Sequence, residues 1–177
     1  MNVTKTELRR QMRRLKASHT AAELQSLSAA VVHRLLLTEA WQQAHTILLY
    51  HSLPDEVETH SLIAEAALTK TVLLPVVVGD DLILRYYSAT AQMTVGAFGI
   101  GEPTGTEFTD YADIDLAVVP GMAFTADGCR LGRGRGYYDR LLPRLTRALK
   151  IGLCWPFQLV DTMPTTHHDV RMDAVVA

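Results

Sequence analysis

A chain of 177 residues, 48% hydrophobic and 20% charged, fits one soluble domain with a core of its own. Seventeen basic against nineteen acidic side chains leave a net charge of −2, which excludes a general field for nucleic acid or an anionic membrane. Any bound anion must therefore be met by a local cluster.

Thr4-Lys5-Thr6-Glu7 reads as a capping box, with Leu8, Met12 and Leu15 on one face behind it, so a short basic helix is predicted over 5–16. This basic start has no apolar run after it, as a secretory signal would, and no stretch reaches the ~18 consecutive apolar residues of a membrane span. Thr20-Ala21-Ala22-Glu23 repeats the box, and Leu24, Leu27, Val31 and Leu35 carry a second helix toward Leu37. Ile47-Leu48-Leu49-Tyr50 loses the helical period and reads as a buried strand, broken by Pro54 and Asp55. Thr59 can cap a helix through Ile63, Ala66 and Ala67.

Residues 71–78 are apolar and largely β-branched, as a strand covered on both sides should be. Gly79-Asp80-Asp81 supplies a turn into a strand over 82–87, and four glycines with Pro103 mark 96–105 as an irregular loop. Leu116-Ala117-Val118-Val119 is the next buried strand, ending at Pro120-Gly121. A helix is expected over 137–149, in conflict with Pro143, since proline costs about 3 kcal/mol inside a helix. Strands at 151–154 and 174–176 close the chain. Strands alternating with helices predict an α/β fold, a single domain over 1–177, with a mostly parallel central sheet and helices on both faces.

The chemistry concentrates in Gly128-Cys129-Arg130-Leu131-Gly132-Arg133-Gly134-Arg135-Gly136-Tyr137-Tyr138-Asp139. Four of the eleven glycines and three arginines fall within 128–136. The run follows the carboxyl end of a predicted strand and enters a helix, where open α/β sheets receive ligands. Glycines let backbone N–H groups approach an anion closely, and arginine forks match phosphate oxygens, so the parts describe a polyphosphate cradle. It is neither GxxxxGK[ST] nor GxGxxG. A solvated loop or an RGG-like RNA contact uses the same residues.

Asp139, on the first turn of the predicted helix, can reach a phosphate-bound magnesium or merely offset the helix terminus; Asp173 is a second candidate carboxylate. Lys5, Arg9 and Arg13 share a face that a solvated helix would also show. Glu56 and Glu58 stand at another strand end, where either could accept hydrogen bonds from a nitrogenous ring or serve as helix N-terminal acid. His167-His168-Asp169 lacks the spacing of a zinc site. Phe98, alone in a glycine-rich loop, is a stacking platform or an anchor. Cys129 and Cys154 form neither a CxxC pair nor a disulfide framework.

The run from Val119-Pro120-Gly121-Met122-Ala123-Phe124 through Arg130 to Asp139 resembles the signature of the 5-formyltetrahydrofolate cyclo-ligases, also called methenyltetrahydrofolate synthetases. Weaker matches follow in order: Lys5, Leu8-Arg9, Tyr50-His51-Ser52 with Glu56-Val57-Glu58-Thr59, Phe98-Gly99-Ile100 with Glu102-Pro103, and His168-Asp169 with Asp173-Ala174-Val175-Val176. The resemblance implies that ATP is held by Lys5, Arg9 and the loop Arg130, Leu131, Gly132, Arg133, Gly134, Arg135, Gly136, Tyr137 and Tyr138. It implies Arg133 and Arg135 as catalytic cations, although relatives often carry lysine or glycine where Arg135 stands. His51, Glu56, Phe98 and Tyr138 become folate contacts, and Asp139 and Asp173 ligands of Mg²⁺.

The activity implied is closure of 5-formyltetrahydrofolate to the 5,10-methenyl form, with ATP consumed to ADP and phosphate through a phosphorylated formyl (iminophosphate) intermediate. A cytoplasmic monomer acting on small molecules, with no nucleic-acid or membrane partner, is expected. A kinase making a stable phosphorylated product, a ligand sensor without turnover and an RNA-binding module are the alternatives.

Overall fold

The chain opens with two capped helices, α1 (Lys5–Ala17) and α2 (Ala21–Leu36). In each, a threonine hydroxyl accepts the amide of the third helical residue and a glutamate there accepts back from the threonine. The computed structural model describes residues 3–90 and 93–177, with every side chain among them except that of Phe98. A short α3 (Glu39–Gln43) then leads into β1 (Thr46–Leu48). After α4 (His60–Ala66) come β2 (Thr71–Val78) and β3 (Asp81–Tyr86). Thr59 stands at the cap position of α4 but spends its hydroxyl on the Tyr50 carbonyl at 2.5 Å, tying the helix start to the end of β1.

The glycine-rich stretch predicted as irregular holds a small hairpin, β4 (Met93–Val95) with β5 (Gly101–Pro103), turned by the single helical turn Ala97–Gly99. There follow β6 (Glu107–Phe108), β7 (Leu116–Pro120) and a second hairpin, β8 (Ala123–Phe124) with β9 (Arg130–Leu131). The helix predicted over 137–149 is shorter. α5 (Tyr137–Leu141) passes into a 3₁₀ turn at Leu142–Arg144, because Pro143 has no N–H to continue the ladder. β10 (Leu149–Leu153) and β11 (Ala174–Val176) complete the chain.

Seven strands form one sheet in the order β11-β10-β7-β1-β2-β3-β6. The pairs among β11, β10, β7, β1 and β2 are parallel; β3 and β6 add antiparallel edges. Alternation along the buried strands divides two cores. Ile47, Leu49, Val72, Leu74, Leu116 and Val118 pack with Val31, Leu35, Trp41 and Ile63 from α2, α3 and α4. Leu48, Leu73, Ala117 and Val119 point the other way, onto Phe124, Leu141, Leu142 and Leu145. Helical segments thus cover both faces, and the fold is the single-domain α/β architecture predicted. No described helix is long and apolar enough to cross a membrane.

From β1 the chain passes to β2 on one side and only later to β7 on the other. The strand order reverses between β1 and β7, and such a switch point opens a crevice at the carboxyl ends of the strands. α1 belongs to neither face of the sheet. Its Leu8 and Met12 bury against Met122, Ala123 and Leu131 of the β8–β9 hairpin. This third cluster lays the basic helix along the glycine–arginine loop.

Candidate active site

The loop after β7 owes its shape to glycine. Gly128 turns the β8–β9 hairpin at φ +91°, and a Cβ there would lie 2.2 Å from the Met172 carbonyl oxygen. The segment between β9 and α5 bends through Gly134 at φ +109° and Gly136 at φ +73°, conformations that L side chains rarely adopt. Arg9 from α1 donates to the Gly132 carbonyl at 2.8 Å and fixes the start of this bend.

Arg130 forms the floor. Its side chain is 3% exposed and donates to Asp139 Oδ1 at 2.8 Å and to the Pro120 carbonyl at 3.2 Å. The Tyr138 ring lies 5.5 Å from the guanidinium carbon, while the buried Nε makes no hydrogen bond among the described residues. Burial raises the Tyr138 hydroxyl above the usual phenol range, and the Glu56 charge adds to it, so the ring stays neutral.

The opposite wall follows β1. Tyr50, His51, Leu53 and Glu56 face the same cavity as Pro120 and Gly121 at the end of β7. His51 stacks on His60 with centroids 3.9 Å apart. Burial lowers its pKa, and the neighbouring His60 lowers it further, leaving a neutral imidazole at physiological pH. Glu56 Oε2 accepts the Leu53 amide at 3.0 Å, whereas Oε1 accepts both Arg133 Nε at 3.1 Å and Nη2 at 3.0 Å. Arg133 Nη2 also meets Asp55 Oδ1 at 2.6 Å. Asp55 in turn faces Lys16, a lysine only 4% exposed, whose Nζ donates to the Asp55 carbonyl at 2.5 Å. Burial lowers the Lys16 pKa, partly opposed by the Asp55 charge. Burial would raise Asp55, but hydrogen bonding from Arg133 and the Lys16 charge outweigh it and hold the carboxyl below its ordinary value.

These walls enclose a cavity of about 340 Å³, completed by Pro75, Val77 and Leu82 and by Ile100 and Glu102 of the β4–β5 hairpin. Glu102 is fixed there by the Val77 amide at 3.2 Å. A neighbouring cleft of about 590 Å³ lies between α5 and residues 166–170 and shares Gly136 and Asp139 with the first. Lys5 reaches this side, donating to Asp169 Oδ1 at 2.7 Å. The first cavity is an apolar chamber with Glu56 and Glu102 in one wall and the glycine–arginine loop in another, and the neighbouring cleft borders it at Gly136 and Asp139. The arrangement suits a flat nitrogenous ligand in the chamber and a polyanion beside it.

Most residues singled out in the sequence come together here. His51, Glu56, Arg130, Gly132, Arg133, Arg135, Gly136, Tyr137, Tyr138 and Asp139 line the cavity. Lys5 and Arg9 flank it, Gly134 packs against Arg9, and Leu131 buries under α1. The side chain of Phe98 lies outside the described residues; its backbone is in the turn of the β4–β5 hairpin.

Asp173 is not brought to Asp139. Its carboxylate accepts the Lys150 amide at 2.7 Å, and Lys150 is level with Ala117 near the amino end of β7. Asp139 is tied through Arg130 to Pro120 at the other end, three residues and about 10 Å away along the strand. Among the described residues no three His, Cys, Asp or Glu side chains gather as a metal cluster. Asp139 can still serve a cation, since its second carboxylate oxygen makes no hydrogen bond among the described residues. Magnesium commonly takes one or two carboxylates and completes its shell with water and phosphate. Lys16 and Asp55 were not singled out as site residues in the sequence, and Glu102 stood only in a stretch matching the family pattern, for each acquires its place through a partner distant in the chain.

The fold and site define an α/β protein with a cavity at the carboxyl edge of its parallel sheet, one wall of which is a glycine–arginine loop. The chain belongs to the 5-formyltetrahydrofolate cyclo-ligase family, whose profile matches residues 1–177. It is 33% identical over 182 residues to the 5-formyltetrahydrofolate cyclo-ligase of Haemophilus influenzae, covering 97% of each chain. A probable 5-formyltetrahydrofolate cyclo-ligase of Schizosaccharomyces pombe is 30% identical, over 86% of this chain and 84% of the other. The NMR structure of Aquifex aeolicus 5,10-methenyltetrahydrofolate synthetase superimposes with a TM-score of 0.87 at 35% identity, covering 97% of this chain and 88% of that one. A 5,10-methenyltetrahydrofolate synthetase from Mycoplasma pneumoniae gives a TM-score of 0.78 at 25% identity, covering 97% of each.

Proposed function

We propose that this chain cyclises 5-formyltetrahydrofolate to 5,10-methenyltetrahydrofolate, consuming ATP and releasing ADP and phosphate. The observation that carries this reading is a single cavity whose lining includes both Glu56 and the glycine–arginine loop at Arg133 and Gly136. A pterin ring in the chamber and a triphosphate in the neighbouring cleft would meet at Gly136 and Asp139, which line both.

The chemical obstacle is an N-formyl amide, stabilised by the resonance that gives peptide bonds a rotational barrier of about 18–20 kcal/mol. Closing the ring directly would expel a hydroxide-like oxygen. Transfer of the terminal phosphoryl group to the formyl oxygen converts that oxygen into a phosphate leaving group. N10 then attacks the activated carbon and gives up its proton to solvent, the C–O bond breaks with phosphate taking the electron pair, and the methenyl bridge forms.

Such a transfer asks the protein for alignment and charge neutralisation more than for covalent help. Glu56 holds the donors of the pterin ring, and neutral His51 closes that end of the chamber. Backbone N–H groups of Gly132, Gly134 and Gly136 orient the phosphates, and Lys5 and Arg9 hold the nucleotide from α1. Arg133 and Arg135 offset the charge of the moving phosphoryl group, while Arg130 keeps Asp139 and Tyr138 in place. Mg²⁺ held by Asp139 and the phosphates would screen the oxygens of the nucleotide. Tyr138 and the β4–β5 hairpin exclude water that would hydrolyse the intermediate.

The test is the absorbance of the methenyl product from purified protein, 5-formyltetrahydrofolate and Mg-ATP. A rise that requires both ATP and Mg²⁺, matched by ADP and free phosphate, is expected. No rise from folded protein that binds ATP would discard the reading, and a stable phosphorylated product in its place would make the chain a kinase.

A further inference from the structure

Arg133 occupies the position that the proposed reaction assigns to Glu56's ligand. Glu56 Oε1 already accepts two N–H groups from that arginine, and its Oε2 is held by the Leu53 amide. A carboxylate oxygen offers about two acceptor sites, so Oε1 is filled. A pterin that donates to Oε1 must displace Arg133. The displaced guanidinium remains within reach of Asp55, its second carboxylate, while Nη1 makes no hydrogen bond among the described residues. Arg133 is 41% exposed, as is Asp55, whereas Glu56 is 11% exposed. The half-wet end of this pair can exchange partners at low cost; the dry end cannot remain without one.

Resting on the proposed roles of Glu56 and Arg133, we infer that Arg133 exchanges between the pterin-binding carboxylate and the nucleotide, so that folate binding releases it and tightens nucleotide binding. Asp55 is the positioning residue of this exchange. It keeps the released guanidinium at the mouth of the cavity and sets how readily the phosphates capture it. Lys16 supports Asp55 from beneath, donating to its carbonyl at 2.5 Å with its ammonium 3.5 Å from the carboxylate. Coupling of this kind is reciprocal: the nucleotide must tighten folate binding by the same factor.

Calorimetric titration of Mg-AMPPNP, a non-hydrolysable ATP analogue, into the intact protein with and without saturating 5-formyltetrahydrofolate measures the exchange. The expected result is a tightening of about fivefold or more by the folate, within the usual range of coupling between sites. Arg133→Ala should bind 5-formyltetrahydrofolate alone at least as tightly as wild type, because nothing need be displaced, yet lose the tightening. Asp55→Asn should bind Mg-AMPPNP severalfold more tightly without folate, since one tether of the arginine is gone. A merely structural Asp55 would instead leave nucleotide affinity unchanged or weakened, and that result overturns its role. Equal Mg-AMPPNP affinity with and without folate, in a protein that forms the methenyl product, overturns the exchange and leaves the proposed function standing. Failure of wild type to form that product removes the function and the exchange together.

Discussion

Arg130→Met tests whether the floor of the groove serves the fold or the chemistry. The guanidinium is almost wholly buried, bonded to Asp139 and the Pro120 carbonyl, and its Nε is unpaired among the described residues. Methionine fills a comparable space, so little cavity results. Breaking a buried ion pair by removing one partner costs about 3–5 kcal/mol. Two corrections reduce that figure here. Asp139 keeps 27% exposure, so water takes over part of its solvation. The variant also ceases to bury an unpaired Nε, a desolvation of roughly 1–3 kcal/mol. The net loss is then about 1–2 kcal/mol, or a fall in Tm of about 2–8 °C for a chain of this size. Turnover to the methenyl product should fall about 10–100-fold, the usual cost of losing a residue that orients a metal-binding carboxylate. Urea denaturation and the absorbance assay on one preparation separate the two effects. A destabilisation beyond about 4 kcal/mol would refute the reasoning by making the pair a structural pillar. Undiminished turnover would remove Arg130 from the site.

Gly134→Val forces a β-branched residue to φ +109°, a strain of about 1–3 kcal/mol, with Arg9 Cζ 3.5 Å from the new Cβ. Mg-ATP affinity measured by calorimetry should weaken about tenfold or more, and an unchanged value would contradict backbone contact with the phosphates. Asp139→Asn should raise severalfold the Mg²⁺ concentration that supports half-maximal turnover; no change would restrict Asp139 to holding Arg130. Asp173→Ala should cost about 1 kcal/mol through the lost bond to the Lys150 amide and leave the Mg²⁺ requirement alone. A shifted requirement would return Asp173 to the metal. The Asp55 carboxyl is depressed below its ordinary 3.8, so its contribution is present above that value and disappears as pH falls through the depressed one. Urea denaturation at pH 5 and pH 3 should accordingly show a smaller acid loss for Asp55→Asn than for wild type, and equal losses would detach Asp55 from Arg133 and Lys16.

What could be read in the sequence was what repeats locally. The two capping boxes gave the limits of α1 and α2 to within a residue or two, and the apolar run at β2 gave its full length. The glycine–arginine run marked one wall of the groove, since positive φ and clustered forks leave a compositional trace. Two-residue strands such as β8 and β9 leave none, so the hairpin presenting Arg130 was invisible. Pro143 was legible as a conflict but not in its resolution, because a proline can either kink a helix or end it. The second wall was legible in part: Glu56 stood out at a strand end, but its partner is 77 positions away. Asp173 was a metal candidate only through the family resemblance, and its place in the sheet could not be read locally. Its position before a strand is a local pattern, and the strand's end relative to the groove is a property of the whole sheet.

The groove answers a problem set by the composition. A chain of net charge −2 that is to receive a polyanion must concentrate cations, and without ligand each concentrated cation needs a partner. Here Arg130 is paired with Asp139, Arg133 with Asp55 and Glu56, and Lys5 with Asp169. Phosphate therefore does not meet bare charge; it competes with carboxylates, and its net gain depends on how well each carboxylate is solvated when released. Asp55, 41% exposed, recovers water readily, so Arg133 is the cation that can move. Arg130, 3% exposed, would leave its buried end unpaired if it moved, so it stays. Exposure thereby sorts chemically identical side chains of one loop into a fixed wall and a mobile arm, and the reaction proposed for this chain needs both.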